Sequence, residues 1–508
     1  MWYRILFILS FGLSFSVYSQ NDLDAFRYSQ QGIYGSARFN AMGGAFSAIG
    51  ADVTSAAVNP AGLALFRKGE INYGAALRTV NNSTNLYNNA VNDGTAKFVF
   101  NHFGLASAWR SEKDKESRHA IGLVSVQRHN YTNTYQMGGK TNNSSIAQDM
   151  MNIAAKKGEP KGLNEYYEGL GFNGLLLDTI YNKYISLVDL GRVVDQNRKI
   201  TQTGKMNELN FSYAYSYKDE WYVGASVGVP RINFSNTLTH TERDTNDSMR
   251  IGFNANGTFT TSYTSFPNEI NDIYKNYLGF NALTYTEFFE STGTGYNIKL
   301  GFVYRTGDAF RFSGYYHSGT NFKMTDVFYN QLTTDWDSKK SVTIKVPENG
   351  GRYEYRIKTP SRFGFGAAYV IKKIGIIALD YEASNYANAR ITSDDLGTFD
   401  GVNAVITNKY RLGHFLKAGA EFNVNPYFFR LGYNILSNPL TGNFTGKFTR
   451  HSPSIGVGVR FKENMSLDFY VLQMYYSDTY YLFNTLNTNT TVSTRLTQVG
   501  ATFNIKFN

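Results

Sequence analysis

Asn297-Ile298-Lys299-Leu300-Gly301-Phe302-Val303-Tyr304 is the stretch that decides the fold. In an extended chain, Ile298, Leu300, Phe302 and Tyr304 share one face, while Asn297, Lys299 and Gly301 take the other. Ile455, Val457, Val459 and Phe461 oppose Gly456, Gly458, Arg460 and Lys462 in the same way. So do Leu412, Leu416, Ala418, Ala420 and Phe422 against Arg411, Lys417, Gly419 and Glu421. Charge on a lipid-facing surface is costly, so these charged faces line a polar interior if the apolar faces meet a bilayer. A soluble sandwich would turn the same pattern inside out. Periodicity alone does not choose between them.

The connections choose. From Glu70 onward, fourteen runs carry the two-residue period. Tight turns fall near Glu112–Glu116, Lys218-Asp219, Thr306-Gly307-Asp308, Lys372-Lys373, Asn423–Pro426 and Lys462-Glu463-Asn464. They alternate with long polar connections at about 81–95, 136–199, 237–292, 331–350, 393–407, 439–450 and 483–490. That rhythm belongs to a closed antiparallel barrel whose loops are short on the periplasmic side and long outside. Trp109, Tyr217, Trp221, Tyr304, Tyr369 and Tyr427 flank the tight turns, as an interfacial aromatic belt requires. The expected fold is all-β: a transmembrane antiparallel β-barrel of 14 strands. Its last strand sets Val499, Ala501, Phe503, Ile505 and Phe507 against Thr502, Asn504 and Lys506. This resembles the terminal signal by which outer-membrane barrels are recognised, although the last residue is Asn508 rather than an aromatic.

Composition agrees. Of 508 residues, 16% are aromatic, with 38 Tyr and 38 Phe, enough to furnish belts at both bilayer surfaces. Mean hydropathy is mildly negative, as expected when only alternate residues meet lipid. Arg4, the apolar run Ile5-Leu6-Phe7-Ile8-Leu9 and small residues up to Ser19 read as a secretory signal peptide over 1–20. Export argues against nucleic acid as the partner of the +10 net charge. The charge suits turns beside an anionic membrane of outer-membrane lipid and lipopolysaccharide. With no cysteine there is no lipid anchor, disulfide or thiolate metal site, and seven scattered histidines suggest no metal.

Residues 21–68 do not alternate. Gly43 and Gly44 sit in a small-residue stretch suited to close packing in a confined space. Asp52 reads as the N-cap of a short helix that Asn59-Pro60 closes. With Gly43-Gly44-Ala45, Asp52 and Asn59-Pro60-Ala61-Gly62, the chain resembles the FadL family of outer-membrane transporters for long-chain fatty acids and other hydrophobic compounds. The resemblance spans nearly the whole mature chain. It implies that residues 21–68 form a hatch inside a barrel running from 69 to 508, and that cargo enters from outside, binds within and leaves sideways once the hatch shifts. It implies no cofactor. Arg38, Asp52 and Asn59 are the candidates for holding the hatch closed. The family's ligand contacts form no motif, so none is carried over. Barrels of this type also serve as subunits of outer-membrane secretion and assembly complexes, which is the alternative function.

Pro230 interrupts the fifth strand and predicts a bulge or kink, either a gap in the wall or the top of the strand. The connections 136–199 and 237–292 carry helical patterns. Ser145 with Gln148 fits a capping box before Ile146, Met150 and Ile153, with Gly158 as stop. Leu177, Ile180, Tyr184, Leu187 and Val188 form one apolar stripe, and Ile270, Ile273, Tyr274 and Tyr277 another after Pro267. These stripes suit a capture groove for greasy ligand, a lid, or docking of a protein partner. No catalytic site emerges. Gly224-Ala225-Ser226-Val227-Gly228 matches the serine-hydrolase elbow, yet it sits inside an alternating strand. Gly364-Phe365-Gly366 lacks the third glycine and helix of a dinucleotide fingerprint. Asp380 and Glu382 are expected to pair with arginines in the lumen.

Overall fold

The computed structural model describes residues 21–30, 32–180, 183–188, 191–247, 249, 279–337, 340–395, 397–441 and 449–507. The expected signal peptide and the stripe from Ile270 to Tyr277 lie outside these residues. Fourteen strands form one sheet: β1 (Gly69–Leu86), β2 (Asn89–Arg110), β3 (Ser117–Asn130, resuming as Asn133–Thr141), β4 (Val194–Tyr217) and β5 (Trp221–Arg243). They continue as β6 (Phe280–Thr306), β7 (Phe310–His317 and Asn321–Trp336), β8 (Ser341–Lys358 and Arg362–Ile371) and β9 (Gly375–Asn385 and Arg390–Thr392). The last are β10 (Leu412–Val424), β11 (Tyr427–Leu436), β12 (Arg450–Lys462), β13 (Met465–Tyr481) and β14 (Asn489–Phe507). All pairings are antiparallel, and β14 returns onto β1 from Phe507↔Gly69 to Val492↔Thr84, which closes the barrel.

The faces fall as alternation requires. Lys299 is 1% exposed, between Ile298 at 53% and Leu300 at 49%. Its ammonium meets Glu208 at 2.6 Å inside the lumen. Apolar residues thus turn outward and ion pairs inward, the reverse of a soluble sheet. Trp109, Tyr217, Trp221, Tyr369 and Tyr427 all face out beside the tight turns. No described helix is long and apolar enough to cross a membrane.

Several connections are shorter than their polarity suggested. The stretch 81–95 is mostly strand, and β1 and β2 close in a two-residue turn at Tyr87 and Asn88, both with positive φ. Likewise β7 extends to Trp336 and β8 restarts at Ser341, within the expected 331–350 connection. In β1 the outward residues Asn81, Ser83 and Asn85 are polar while Asn82, Thr84 and Leu86 stay buried, so the hydropathy alternation fades although pairing continues. Pro230 makes no bulge. It faces Glu208 on β4, and the β5–β6 ladder omits only Val229 and Pro230 before resuming in the same register.

The outer loops pack as a lid over the barrel. A helix at Ile146–Lys157 starts at Ser145 and stops at Gly158, but Gln148 does not complete the cap. Instead Glu242, at the top of β5, accepts from the Ser145 hydroxyl at 2.6 Å and from the Ile146 N–H at 2.7 Å. The stripe from Leu177 to Val188 forms a hairpin, Leu177–Ile180 against Lys183–Ser186, rather than a helix. Thr179, Tyr184 and Ile185 favour extended backbone, and the three-to-four spacing of the apolar residues also suits the two arms of a hairpin. Leu177, Leu187 and Val188 pack with Met150, Phe280 and Trp336 in the lid's core.

Candidate functional site

Inside the barrel, the hatch is built from short turns. Ser36 caps α2 (Ala37–Ala41, following α1 at Asp22–Ser29) by accepting from the Phe39 N–H at 3.0 Å. Gly43 and Gly44 follow with φ of 63° and 76°, a conformation that reverses the chain where a side chain would be strained. Asp52 caps the 3-10 turn Val53–Ala57, accepting from the Thr54 N–H at 2.9 Å. Asn59 ends that turn and caps the next, Pro60–Leu65.

Polar contacts tie this plug to the wall, and they are well made. The Arg38 guanidinium meets both oxygens of Glu421 on β10 at 2.8 Å. Glu421 is also paired with Arg430 on β11, which reaches Asp468 on β13 at 2.6 Å. Asp380 on β9 accepts from the N–H groups of Phe46 and Ser47, at 3.0 and 2.9 Å, and from the Ser47 hydroxyl at 2.7 Å. The Asn59 amide donates to the Ser47 and Phe302 carbonyls at 2.9 and 3.1 Å. Arg311 and His317 of β7 bind the carbonyls of Ile49 and Val58.

Beyond these turns, α1 packs into a buried aromatic cluster. Phe26 stacks on Tyr410 with ring centres 5.0 Å apart and meets Tyr386 edge-on at 5.4 Å. Tyr28 meets Tyr131 edge-on, and Arg27, ion-paired with Asp24, lies 4.3 Å over the Phe234 ring. Asp22 anchors the start of the helix to Lys409 at 2.7 Å and the Tyr410 hydroxyl at 2.8 Å.

Beside this cluster the wall is seamed. The β2–β3 ladder runs from Arg110↔Arg118 to His102↔Val126 and stops. Higher up, β3 breaks at Tyr131-Thr132, and its upper segment stays paired with β4 while passing behind β1. The carbonyls of Thr132, Thr134, Gln136 and Gly138 all point to the edge that left β2. Each accepts from one side chain: Arg78 at 2.7 Å, Asn82 at 2.7 Å, Thr84 at 2.7 Å and Asn89 at 2.9 Å. A side-chain zipper from β1 and the head of β2 therefore replaces a missing strand ladder.

No model of a known protein family matches the chain, and no curated protein is similar to it in sequence. Solved structures are similar. A Pseudomonas aeruginosa FadL homologue superposes with a TM-score of 0.55 at 12% identity, over 94% of this chain and 99% of that one. The P. putida toluene transporter TodX gives 0.52 at 11% identity, over 94% of this chain and all of that one. The fold is FadL-like.

In this FadL-like barrel the sequence-named residues fall on the hatch, and most of them reach the wall. Arg38 and Asn59 make direct contacts with it. Asp52 faces inward on the hatch, where it holds Ser36 and Thr54. Pro60 and Ala61 press on the wall so closely that a Cβ at Gly224 would lie 2.5 Å from them. Gly224 opens the hydrolase-like motif, so the motif's glycine serves close packing. Ser226 lies within strand β5, 2.9 Å from the Ser212 hydroxyl, without the turn an elbow needs. Gly62 accommodates Gly50, and the Ala51 N–H donates to its carbonyl at 3.1 Å. Asp380 and Glu382 do not pair with arginines: Asp380 holds hatch backbone, and Glu382 meets Lys417 at 3.1 Å. Sequence reading also missed the break in β3. The run Asn130-Tyr131-Thr132-Asn133 is polar enough to mark it, as is the inward triple Arg78, Asn82 and Thr84.

Proposed function

We propose that the chain is an outer-membrane channel for passive passage of hydrophobic small molecules, closed at rest by its hatch. The observation that carries this reading is the pairing of a ring-rich apolar cluster, filled by α1, with a seam in the adjacent wall. Cargo would leave sideways where the zipper of Arg78, Asn82 and Thr84 stands in for a strand ladder, once the hatch and α1 shift, whereas the way down is stopped by the hatch. A water-filled pore would need neither feature. Fatty acids and ring compounds are both candidate cargo, and TodX, which shares the fold, is a toluene transporter. Phe26, Tyr386 and Tyr410 favour flat rings, since aromatic faces gain from stacking beyond the area they bury. Arg38, Asp52 and Asn59 hold the closed state through the contacts described. Cells lacking the chain should accumulate a fluorescent long-chain fatty acid or a naphthalene-type dye several-fold more slowly, with hydrophilic uptake unchanged. Equal uptake of both classes would remove the proposal.

A further inference from the structure

The outer wall carries a polar field where plain solvent exposure demands no pattern. On the face turned to the membrane, the topmost apolar row crosses the sheet as Val471, Val499, Leu77 and Phe98, on β13, β14, β1 and β2. Four residues higher, strand register sets His451, Tyr475, Arg495, Asn81 and Gly94 side by side. Two residues above that lies Ser477, Ser493, Ser83 and Asn92. Together the two rows line a groove of about 970 Å³ on the outside of the barrel. Four residues of strand rise about 13 Å, or about 10 Å along the membrane normal at usual barrel tilts. The groove therefore stands at the depth of lipid headgroups in the outward leaflet.

Its chemistry is selective. Arg495 is exposed, packs 5.9 Å over the Tyr475 ring and has no carboxylate ion pair among the described residues. His451 is steered outward by a 2.9 Å hydrogen bond to the Tyr433 hydroxyl. Around them are hydroxyls and amides, which both donate and accept, a tyrosine ring of the kind that lies against sugar faces, and one carboxylate, Asp93, paired in register with Asn82 and accepting from the Gly94 N–H. A guanidinium fork matches phosphate geometry. We propose that this groove binds the phosphorylated sugar headgroup of an outer-leaflet glycolipid, with Arg495 on phosphate and Tyr475 against a sugar ring. The site rests on the outer-membrane placement proposed above and is independent of what the lumen carries.

The test uses purified full-length barrel in mild detergent, with native mass spectrometry of bound lipid. The probes are bisphosphorylated lipid A bearing core sugars, the same glycolipid after phosphatase treatment, and phosphatidylglycerol. The sugar-bearing phosphorylated form should bind best, and Arg495→Ala with Tyr475→Ala should weaken it at least tenfold. Arg495→Lys should fall between, and dye uptake should not change in any of these variants. A heat-modifiable gel band confirms folding, and Ser493→Ala alone provides a milder variant. Equal binding by parent and variants, or equal displacement by phosphatidylglycerol, overturns the site. Because binding is read on isolated protein, loss of the transport reading would leave this result standing, while fractionation of the chain with the inner membrane would remove the placement on which it rests.

Discussion

Alanine at Asp380 is expected to unseat the hatch and make cells sensitive to vancomycin, an antibiotic too large and polar for an intact outer membrane. Asp380 is 3% exposed and accepts three hydrogen bonds from Phe46 and Ser47. Hydrogen bonds to a charged acceptor are the strong ones, and removing it leaves two buried N–H groups without a partner. A loss of about 3 kcal/mol is a reasonable figure for such a deletion. That corresponds to about a 10²-fold shift between seated and unseated hatch. The barrel itself should stay folded, because Asp380 makes no strand-to-strand side-chain bond and Lys417 keeps its partner Glu382. Asp380→Asn should have a weaker effect, since one amide oxygen remains to accept. Wild-type antibiotic resistance in Asp380→Ala would show that the plug is held elsewhere.

The second large effect is expected at the seam. Arg78 and Asn82 are buried on the inner face of β1 and donate to carbonyls of the displaced part of β3. Replacing both by alanine removes one charged and one neutral anchor, together worth about 3 kcal/mol. The pairing of Asn133–Thr141 with β4 survives, so the segment should loosen without unfolding. Hydrogen exchange over 131–138 should then quicken by about 10- to 10²-fold, following the local opening free energy. Thr79→Ala, on the outward face of the same strand, should leave exchange unchanged. Unaltered exchange in the double variant would mean that the seam is closed by the lid instead.

The sequence made the wall legible and the interior less so. An apolar outside and a charged inside impose a strict two-residue period, so Ile298 to Tyr304 or Ile455 to Phe461 declare their faces unaided. The hatch was legible through its lack of alternation and, as a family resemblance, through Gly43-Gly44-Ala45 and Asn59-Pro60-Ala61-Gly62, whereas Asn59 proved to cap the turn after it. Which wall residue receives each hatch group depends on strands hundreds of residues away, such as Asp380 for Ser47 and Glu421 for Arg38. No local pattern encodes that. The hairpin at Leu177–Ser186 was misread for a related reason: short apolar stretches carry helix and strand spacing at once, and packing against Met150 and Trp336 decides. The long connections at 81–95 and 331–350 were misread because the outward face turns polar there, as at Asn81, Ser83 and Asn85, while pairing continues.

A disulfide between hatch and wall tests the account most directly. The hydroxyls of Ser47 and Ser313 lie 2.8 Å apart, and the chain has no cysteine to interfere. Ser47→Cys with Ser313→Cys should therefore bridge β7 to the hatch with little backbone movement. With the bond formed, uptake of the fluorescent fatty acid and the dye should fall to the level of cells lacking the chain, and a reductant should restore it. Undiminished uptake through a fully oxidised barrel would contradict the claim that cargo passes only when the hatch moves.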